Sequence, residues 1–461
     1  MRGFLTSSIG VSSVGVTCAA ALVLPQALPA SAATARPAPA SNRAATGGRT
    51  TAEPAVPGDT QSLPLTPLPR DRALGAAEQG LRRGDVRHFS LVGIIWDNPR
   101  IELHGQVQVR TRSVATGVWT GWQDIGTHNA DHGADPDTAE STSGRVRGAT
   151  APLWVGDSNG VEVRVRAEET PGGDRTGGLT APLPSGLRLE LVDPGAEPPS
   201  DIPRTGAAAL DDAAAASSAV NTDVAPLGAA EIPALNRQDT ERELLTLRGP
   251  APAGAQRATP YIGPRPKIVT RSGWGADESL RERGFVYTKK VKAAFVHHTD
   301  SGNNYSCSQA PSVIRSIYRY HVKSMGWRDI GYNFLVDKCG SIYEGRAGGV
   351  TKAVRGAHTL GFNSNSMGVA VIGSFNSTKP SSSAVKAIAK LTAWKLGLFG
   401  ADPRGKTYLT SGGGNLYPKG KNVRLNVISG HRDGYATDCP GERLYSKLGS
   451  ARSTAARYQG R

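Results

Sequence analysis

Three side chains in the C-terminal part of the chain have the chemistry of a metal centre. His297 ends the apolar run Ala293-Ala294-Phe295-Val296 and is followed by His298 and Thr299. His431 stands in Gly430-His431-Arg432-Asp433, and Cys439 follows it by eight residues in Thr437-Asp438-Cys439-Pro440-Gly441. Two imidazoles and a thiolate make a three-ligand zinc set, which leaves the fourth tetrahedral position for water. Local spacing joins only His431 and Cys439; His297, 134 residues before His431, needs the fold to join them. Strand side chains alternate faces, so one of His297 and His298 is a candidate ligand and the other a packing residue. No His-Glu-X-X-His is present, so the carboxylate base of that motif is missing.

The elements that must position these residues are legible nearby. Ala293 to His298 reads as a buried strand. Pro311 to Met325 reads as a helix, with Pro near its start and Val313, Ile314, Ile317, Tyr318, His321 and Met325 on one face. On that face His321 is a core or supporting histidine rather than a ligand. Gly331–Asp337, Ser341–Gly345, Met367–Ile372 and Val427–Ser429 read as further strands, and Ser382–Phe399 as a helix closed by Gly400. Strands and helices in this mixed order predict an α/β domain with a mixed central sheet and flanking helices.

The N-terminal half has a different pattern. Phe89–Val92, Ile101–His104, Val107–Arg110, Trp119–Trp122, Leu153–Val155, Val161–Val165 and Leu187–Leu191 alternate with period two and have no helical stretch between them. They predict an all-β, sandwich-like domain over 85–195. His128, Asp131, His132, Asp135 and Asp137 cluster in one loop that could bind a cation, but without ordered ligand spacing it reads as a solvated polar loop. Residues 33–84 and 196–262 are Ala/Pro-rich and read as a disordered leader and a linker, the latter with a short helix around Asp239–Leu247. Residues 1–32 resemble an export signal: Arg2, then an uncharged stretch from Ile9 to Leu24, then the small residues Ala30-Ser31-Ala32. That leaves 263–461 as the module carrying the chemistry.

Composition sharpens the division. Of 461 residues, 1–262 hold 23 basic and 28 acidic side chains, whereas 263–461 hold 31 basic and 11 acidic, including all 15 lysines. An anionic partner is therefore expected on the C-terminal module. Beyond the N-terminus no run of about 18 apolar residues exists, which excludes a polytopic membrane protein. Four cysteines are too few for a disulfide scaffold.

Residues 266–447 resemble the peptidoglycan recognition proteins and the related zinc N-acetylmuramoyl-L-alanine amidases. The resemblance runs through Thr270–Ala276, Phe295–Thr299, Gly326–Phe334, Ile342–Arg346, Gly356–His358, Asn363–Gly368, Gly430–Asp433 and Asp438–Gly441, in the family's order. The 85–195 segment also resembles the β-domain that precedes such amidases in some secreted bacterial members. The resemblance implies that His297, His431 and Cys439 bind one zinc per chain, with the first His of the His-His pair as the ligand. It places Tyr332 beside the metal as a residue needed for hydrolysis. Thr437 falls where relatives carry Lys or Thr, and Thr is the weaker electrostatic partner. His358 and Asn365, with Arg355, fall at positions lining the substrate groove.

The expected reaction is hydrolysis of the amide between the muramyl lactyl group and L-alanine. Zinc would activate a water and polarise the carbonyl of this poor electrophile. Proton handling falls to that water itself, to the Tyr332 hydroxyl or to His358. With Cys439 assigned to the metal, Cys307 and Cys339 are expected to pair in an oxidising compartment, the alternative being two buried thiols. The expected protein is a secreted, wall-directed monomer whose partners are peptidoglycan and anionic wall polymers, without stable membrane insertion. A non-lytic peptidoglycan receptor is the alternative, and retained Cys439 and Tyr332 argue against it. A basic nuclease using His297 and His431 would gain nothing from Cys439, so nucleic acid is not an expected partner.

Overall fold

The computed structural model describes residues 57–68, 78–168, 182–196, 210–249 and 260–461. The expected export signal, 1–32, and most of the expected leader lie outside them. Among the described residues no helix is long and apolar enough to cross a membrane.

The period-two segments form a nine-stranded sheet whose pairings are all antiparallel. Its organiser is the long strand Leu153–Ala167. The first residues of this strand pair with Phe89–Trp96, and the later ones lie between Glu78–Arg83 and Gly105–Ser113. Arg188–Asp193 flanks Phe89–Trp96 on the other side, and Asp59–Pro64 forms the edge beyond it. Alternation puts Val161, Val163 and Val165 into a core shared with Val107, Val109 and Leu189. Two expected strands are absent, because Ile101–His104 and Trp119–Trp122 are loop apart from a single Arg112–Trp119 bridge. The two indoles instead lie under Arg110 and Arg164, with guanidinium-to-ring distances of 4.2 to 5.6 Å. The expected leader boundary also shifts, since Asp59–Pro64 and Glu78–Arg83 belong to this sheet.

The C-terminal sheet has seven strands in the order Glu231–Ile232, Ile268–Val269, Ile342–Glu344, Phe334–Val336, Ser366–Val371, Ala293–His298 and Ile428–Gly430. The last three run parallel and two other pairings are antiparallel, giving the mixed sheet that was expected. Helices Ser382–Leu398 and Leu448–Gln459 cover one face, burying Ile388, Leu391 and Trp394 against Val296, Val369 and Val371. Ser381 caps the first of these, its hydroxyl accepting from Ala384 N at 3.0 Å. Helix Ala310–Arg319 covers the other face and ends in a π-helical turn, Tyr320–Ser324.

The expected linker is not a bare spacer. Within it lie helices Asp212–Ala219 and Arg237–Arg248 and the sheet strand Glu231–Ile232. Ile232 and Leu244 are buried in the C-terminal core, and the Asn221 amide donates to both oxygens of Glu344 at 2.9 and 3.0 Å. Apolar residues at Val224, Ile232 and Leu244 bury against the sheet edge, which is why an Ala/Pro-rich segment orders here.

The β-domain and the α/β domain share a core. Leu91, Ile95, Trp154 and Val192 pack with Ile314, Ile317 and Tyr320. The Tyr320 hydroxyl lies 3.3 Å from Ile94 O and 3.2 Å from Thr150 O, and a Cβ at Gly93 would overlap its ring. The 310–319 helix is therefore buried almost all round, Arg315 and Arg319 included, rather than on the single face its sequence suggests.

Candidate metal centre

The site lies beyond the carboxyl ends of the parallel strands, where ligands bind in open α/β sheets. Ala293–His298 pairs in parallel with Ser366–Val371 on one side and Ile428–Gly430 on the other. Ile428–Gly430 runs directly into His431, so adjacent strands deliver His297 and His431 to the same edge, their rings 4.5 Å apart. Cys439 returns to that edge because Arg432 N donates to its carbonyl at 3.0 Å and His298 N to its sulfur at 3.4 Å. Its Sγ lies 3.7 Å from His297 Nδ1, close to the ~3.5 Å edge of a tetrahedron around zinc. The His298 ring points away and lies 3.4 Å from Phe375 N, as strand alternation requires.

A fourth ligand-type side chain completes the group. His132 comes from the polar loop of the β-domain, and the ligand atoms of His132, His297, His431 and Cys439 all lie within 4.8 Å of one another. The reading of that loop as solvated is thus corrected for part of it. Asp131, His132 and Asp135 turn in against the α/β domain, while His128 and Asp137 stay exposed. Sequence spacing could not reveal this, because His132 precedes His297 by 165 residues. The one local signal was an acid beside a histidine.

The chemistry of the donor set fits a metal ion. His132 Nε2, both ring nitrogens of His431 and Asp131 Oδ2 are buried without a hydrogen-bond partner, and one nitrogen each of His132 and His431 belongs to the convergent ligand group. Each such orphan costs about 1–3 kcal/mol, which a bound cation would offset. Burial, reinforced by the neighbouring imidazoles, holds His297 well below the usual histidine range and brings His431 down to about 3. Burial likewise raises the Cys439 thiol well above its ordinary value, with the Asp131 charge adding to the effect. Burial also opposes ionisation of Asp131, but the charge and hydrogen bond of His132, with His431 and the Thr437 hydroxyl, carry its carboxyl below the usual range.

The other expected site residues divide. Tyr332 is at the centre, its ring 5.6 Å from that of His297 and 5.8 Å from that of His132, and burial pushes its hydroxyl well above the usual tyrosine range. His358 packs 5.2 Å from His297; its Nδ1 is 3.0 Å from Thr359 Oγ1, its Nε2 is an orphan, and a Cβ at Gly368 would overlap its ring. Thr437 accepts from Cys439 N at 3.2 Å and faces Asp131. Arg355 is half-buried near Asp135. Asn365 is not brought in. It precedes Ser366–Val371 with φ 60°, at the strand end opposite His297, and its side chain lies 3.3 Å from Lys290 N. His321 takes the supporting place expected of it, 3.1 Å from Gly331 N and stacked 4.4 Å from Trp327 beneath Tyr332. Cys307 and Cys339 form a disulfide.

The fold and site together define an α/β domain with a His/Cys metal-type centre, fused to an all-β domain. Residues 287–442 match the family model for N-acetylmuramoyl-L-alanine amidase, and residues 43–186 match one described as an N-terminal galactose-binding domain-like domain. The chain is 32% identical over 183 residues to peptidoglycan-recognition protein SC2 of Drosophila simulans, covering 39% of this chain and 84% of that one. It is 31% identical over 188 residues to a human N-acetylmuramoyl-L-alanine amidase, covering 40% of this chain and 28% of the human one. Among solved structures it is similar to peptidoglycan recognition protein-LE in complex with tracheal cytotoxin, with 30% identity, 40% of this chain and 92% of that chain covered, and a TM-score of 0.32. The chain belongs to the peptidoglycan recognition and type 2 amidase family and carries an additional N-terminal β-domain.

Proposed function

We propose that the protein is an exported, zinc-dependent N-acetylmuramoyl-L-alanine amidase that cleaves the amide between the muramyl lactyl group and L-alanine in peptidoglycan. The observation that carries this reading is the convergence of His297, His431 and Cys439, with both ring nitrogens of His431 left without a hydrogen-bond partner, beside the buried Tyr332. These three side chains would hold zinc, which when bound activates water and polarises the scissile carbonyl. Thr359 orients His297, its hydroxyl 3.4 Å from the Nε2 not facing Cys439.

Tyr332 keeps its proton at neutral pH, as an ordinary tyrosine does, and burial shifts its pKa further upward. Its hydroxyl can therefore donate to the carbonyl oxygen as negative charge develops there. His358 stays neutral because burial disfavours its charged form, and its unpartnered Nε2 can hold a substrate N–H. Thr437 offers a hydroxyl without charge, so it positions and does not neutralise. Export is supported by the pattern of residues 1–32 and by the Cys307–Cys339 disulfide. The cationic C-terminal module suits the anionic polymers of a bacterial wall.

Digestion of purified sacculi followed by mass spectrometry of the soluble products, with zinc quantified on the same protein, tests the reading. One zinc per chain and stem peptides carrying a free L-alanine amino group are expected. Muropeptide that is bound but never cleaved, both by the native chain and by one whose β-domain loop has been loosened, would leave the receptor reading in its place.

A further inference from the structure

We infer that His132 is a fourth protein ligand of the metal and that residues 128–142 form an intramolecular plug over the cleft, so that the chain as folded is latent and becomes active when this loop is displaced. The inference rests on the zinc amidase reading and adds its regulation. A catalytic zinc keeps one coordination position free of protein, whereas four protein ligands make a closed site. Here the fourth ligand-type atom is in place. His132 Nδ1 lies 3.0 Å from Asp131 Oδ1, which turns the unpartnered Nε2 towards His431, the two rings 4.7 Å apart. A carboxylate on the far nitrogen is the usual partner of a ligating imidazole, since it selects the tautomer and raises basicity.

The rest of the loop is tied to the segment that would otherwise receive substrate. Asp135 accepts from Gly361 N at 2.9 Å, Asn363 N at 3.1 Å and Asn363 Nδ2 at 2.7 Å. Asn363 Nδ2 also donates to Gly133 O at 2.8 Å, and Leu360 N to Asp131 O at 3.0 Å. Glu140 takes a two-pronged contact from Arg346, both bonds 2.9 Å, with both side chains less than a tenth exposed. These bonds cover the 356–363 stretch around His358, and His297, His358 and His431 are left fully buried.

The plug is nonetheless separable from the core. Apart from Gln123–Ile125 and Gly148–Ala149 at its two ends, residues 114–152 contain no strand. Cavities of about 420 Å³, reaching Asp131 and Thr437, and about 230 Å³, reaching His132 and Glu140, flank it. The bulk of the shared apolar core lies around Leu91, Ile314 and Tyr320, and among the apolar side chains of the plug the partly buried Ala134 packs against it. Moving the loop therefore breaks mainly polar contacts, together with the Ala134 contact, and leaves the bulk of that core standing.

The test compares the native full-length chain with His132→Ala, each loaded with one equivalent of Co2+ for spectroscopy and with Zn2+ for chelator competition and muropeptide cleavage. In the native protein a cobalt spectrum of a closed three-nitrogen, one-sulfur site is expected. In His132→Ala the d–d bands should shift, zinc should pass to the chelator at least tenfold faster, and cleavage should rise at least tenfold. Glu140→Gln, which leaves the donor set intact, should raise cleavage and speed zinc release to a smaller degree, and it serves if His132→Ala does not fold. An unchanged cobalt spectrum and unchanged zinc release in His132→Ala would overturn the ligand assignment. A shifted spectrum with lower cleavage would overturn latency and make His132 part of the working site. Failure of the native chain itself to bind zinc would instead remove the zinc reading beneath.

Discussion

His297 and His431 reach the metal centre from adjacent strands of a parallel sheet, whereas His132 reaches it from a β-domain loop held by side-chain hydrogen bonds. On the sheet side, position is set by backbone pairing on both flanks of Ala293–His298 and by cores on both faces. On the loop side, position is set by Asp131, Asp135 and Glu140, whose contacts are few and polar. Strand-borne ligands cannot leave without unravelling the sheet, while a loop-borne ligand leaves at the cost of a handful of hydrogen bonds. Under the proposed latency, the difference would separate a permanent part of the candidate metal centre from a removable one.

The comparison can be broken most decisively at Cys439, which lies in a turn beyond the sheet and is held there by Arg432 N and His298 N. Cys439→Ser exchanges a soft anionic donor for a neutral hydroxyl. Loss of bound zinc and of muropeptide cleavage to background is expected, with the circular dichroism spectrum retained. Metal analysis with an amidase assay checks it, and a fully active, metal-free variant would remove the sheet-side site altogether.

Tyr332→Phe should keep zinc and lower kcat on the order of 10²–10⁴-fold. Measurement in the loop-loosened background separates this effect from latency. Turnover within a few fold of the parent would reduce Tyr332 to a wall of the groove and shift attention to His358.

Leu244→Ala sharpens the comparison from the segment between the two domains. Leu244 is 2% exposed within the C-terminal core, so its truncation should cost about 2–5 kcal/mol in denaturant unfolding. A change below about 0.5 kcal/mol would return 210–249 to the status of a spacer.

The smallest effect is expected at the domain seam. Tyr320→Phe removes the hydroxyl that meets Ile94 O and Thr150 O, and a loss of about 1 kcal/mol is expected. Zinc release and cleavage should not move, because the hydroxyl can be lost without disturbing the apolar packing that fixes where the plug falls. A changed release rate in this variant would mean that domain packing, and not the loop alone, sets access to the metal.

Much of this was legible in the chain before folding. Period-two runs marked the β-domain, and apolar strand and helix patterns marked the α/β domain, because local alternation and helical periodicity directly reflect which face is buried. His431 and Cys439 were linked by spacing, and the one-face rule allowed a single ligand from His297 and His298, the family resemblance choosing His297. Less visible was order imposed by packing: 59–64, 78–83 and 210–249 carry weak local signals and take structure from the sheets they join. Asn365 shows the reverse, a residue in a recognisable motif that the parallel register carries to the far end of its strand.

The sequence by itself pointed to the class of chemistry, since the His431/Cys439 spacing and the strand-end His297 are residue types that can hold a divalent metal. Periodicity also marked an all-β region and an α/β region, whereas the charge break between 1–262 and 263–461 falls inside the C-terminal fold, which already includes Ile232 and Leu244. Only the tertiary structure decided that the β-domain is part of the metal centre. His132 is 165 residues from His297 and 299 from His431. No local pattern can encode a contact made by docking one domain's loop onto another domain's strand ends; that contact exists because Leu91, Ile95, Trp154 and Val192 bury against the 310–320 helix and fix where the loop must fall.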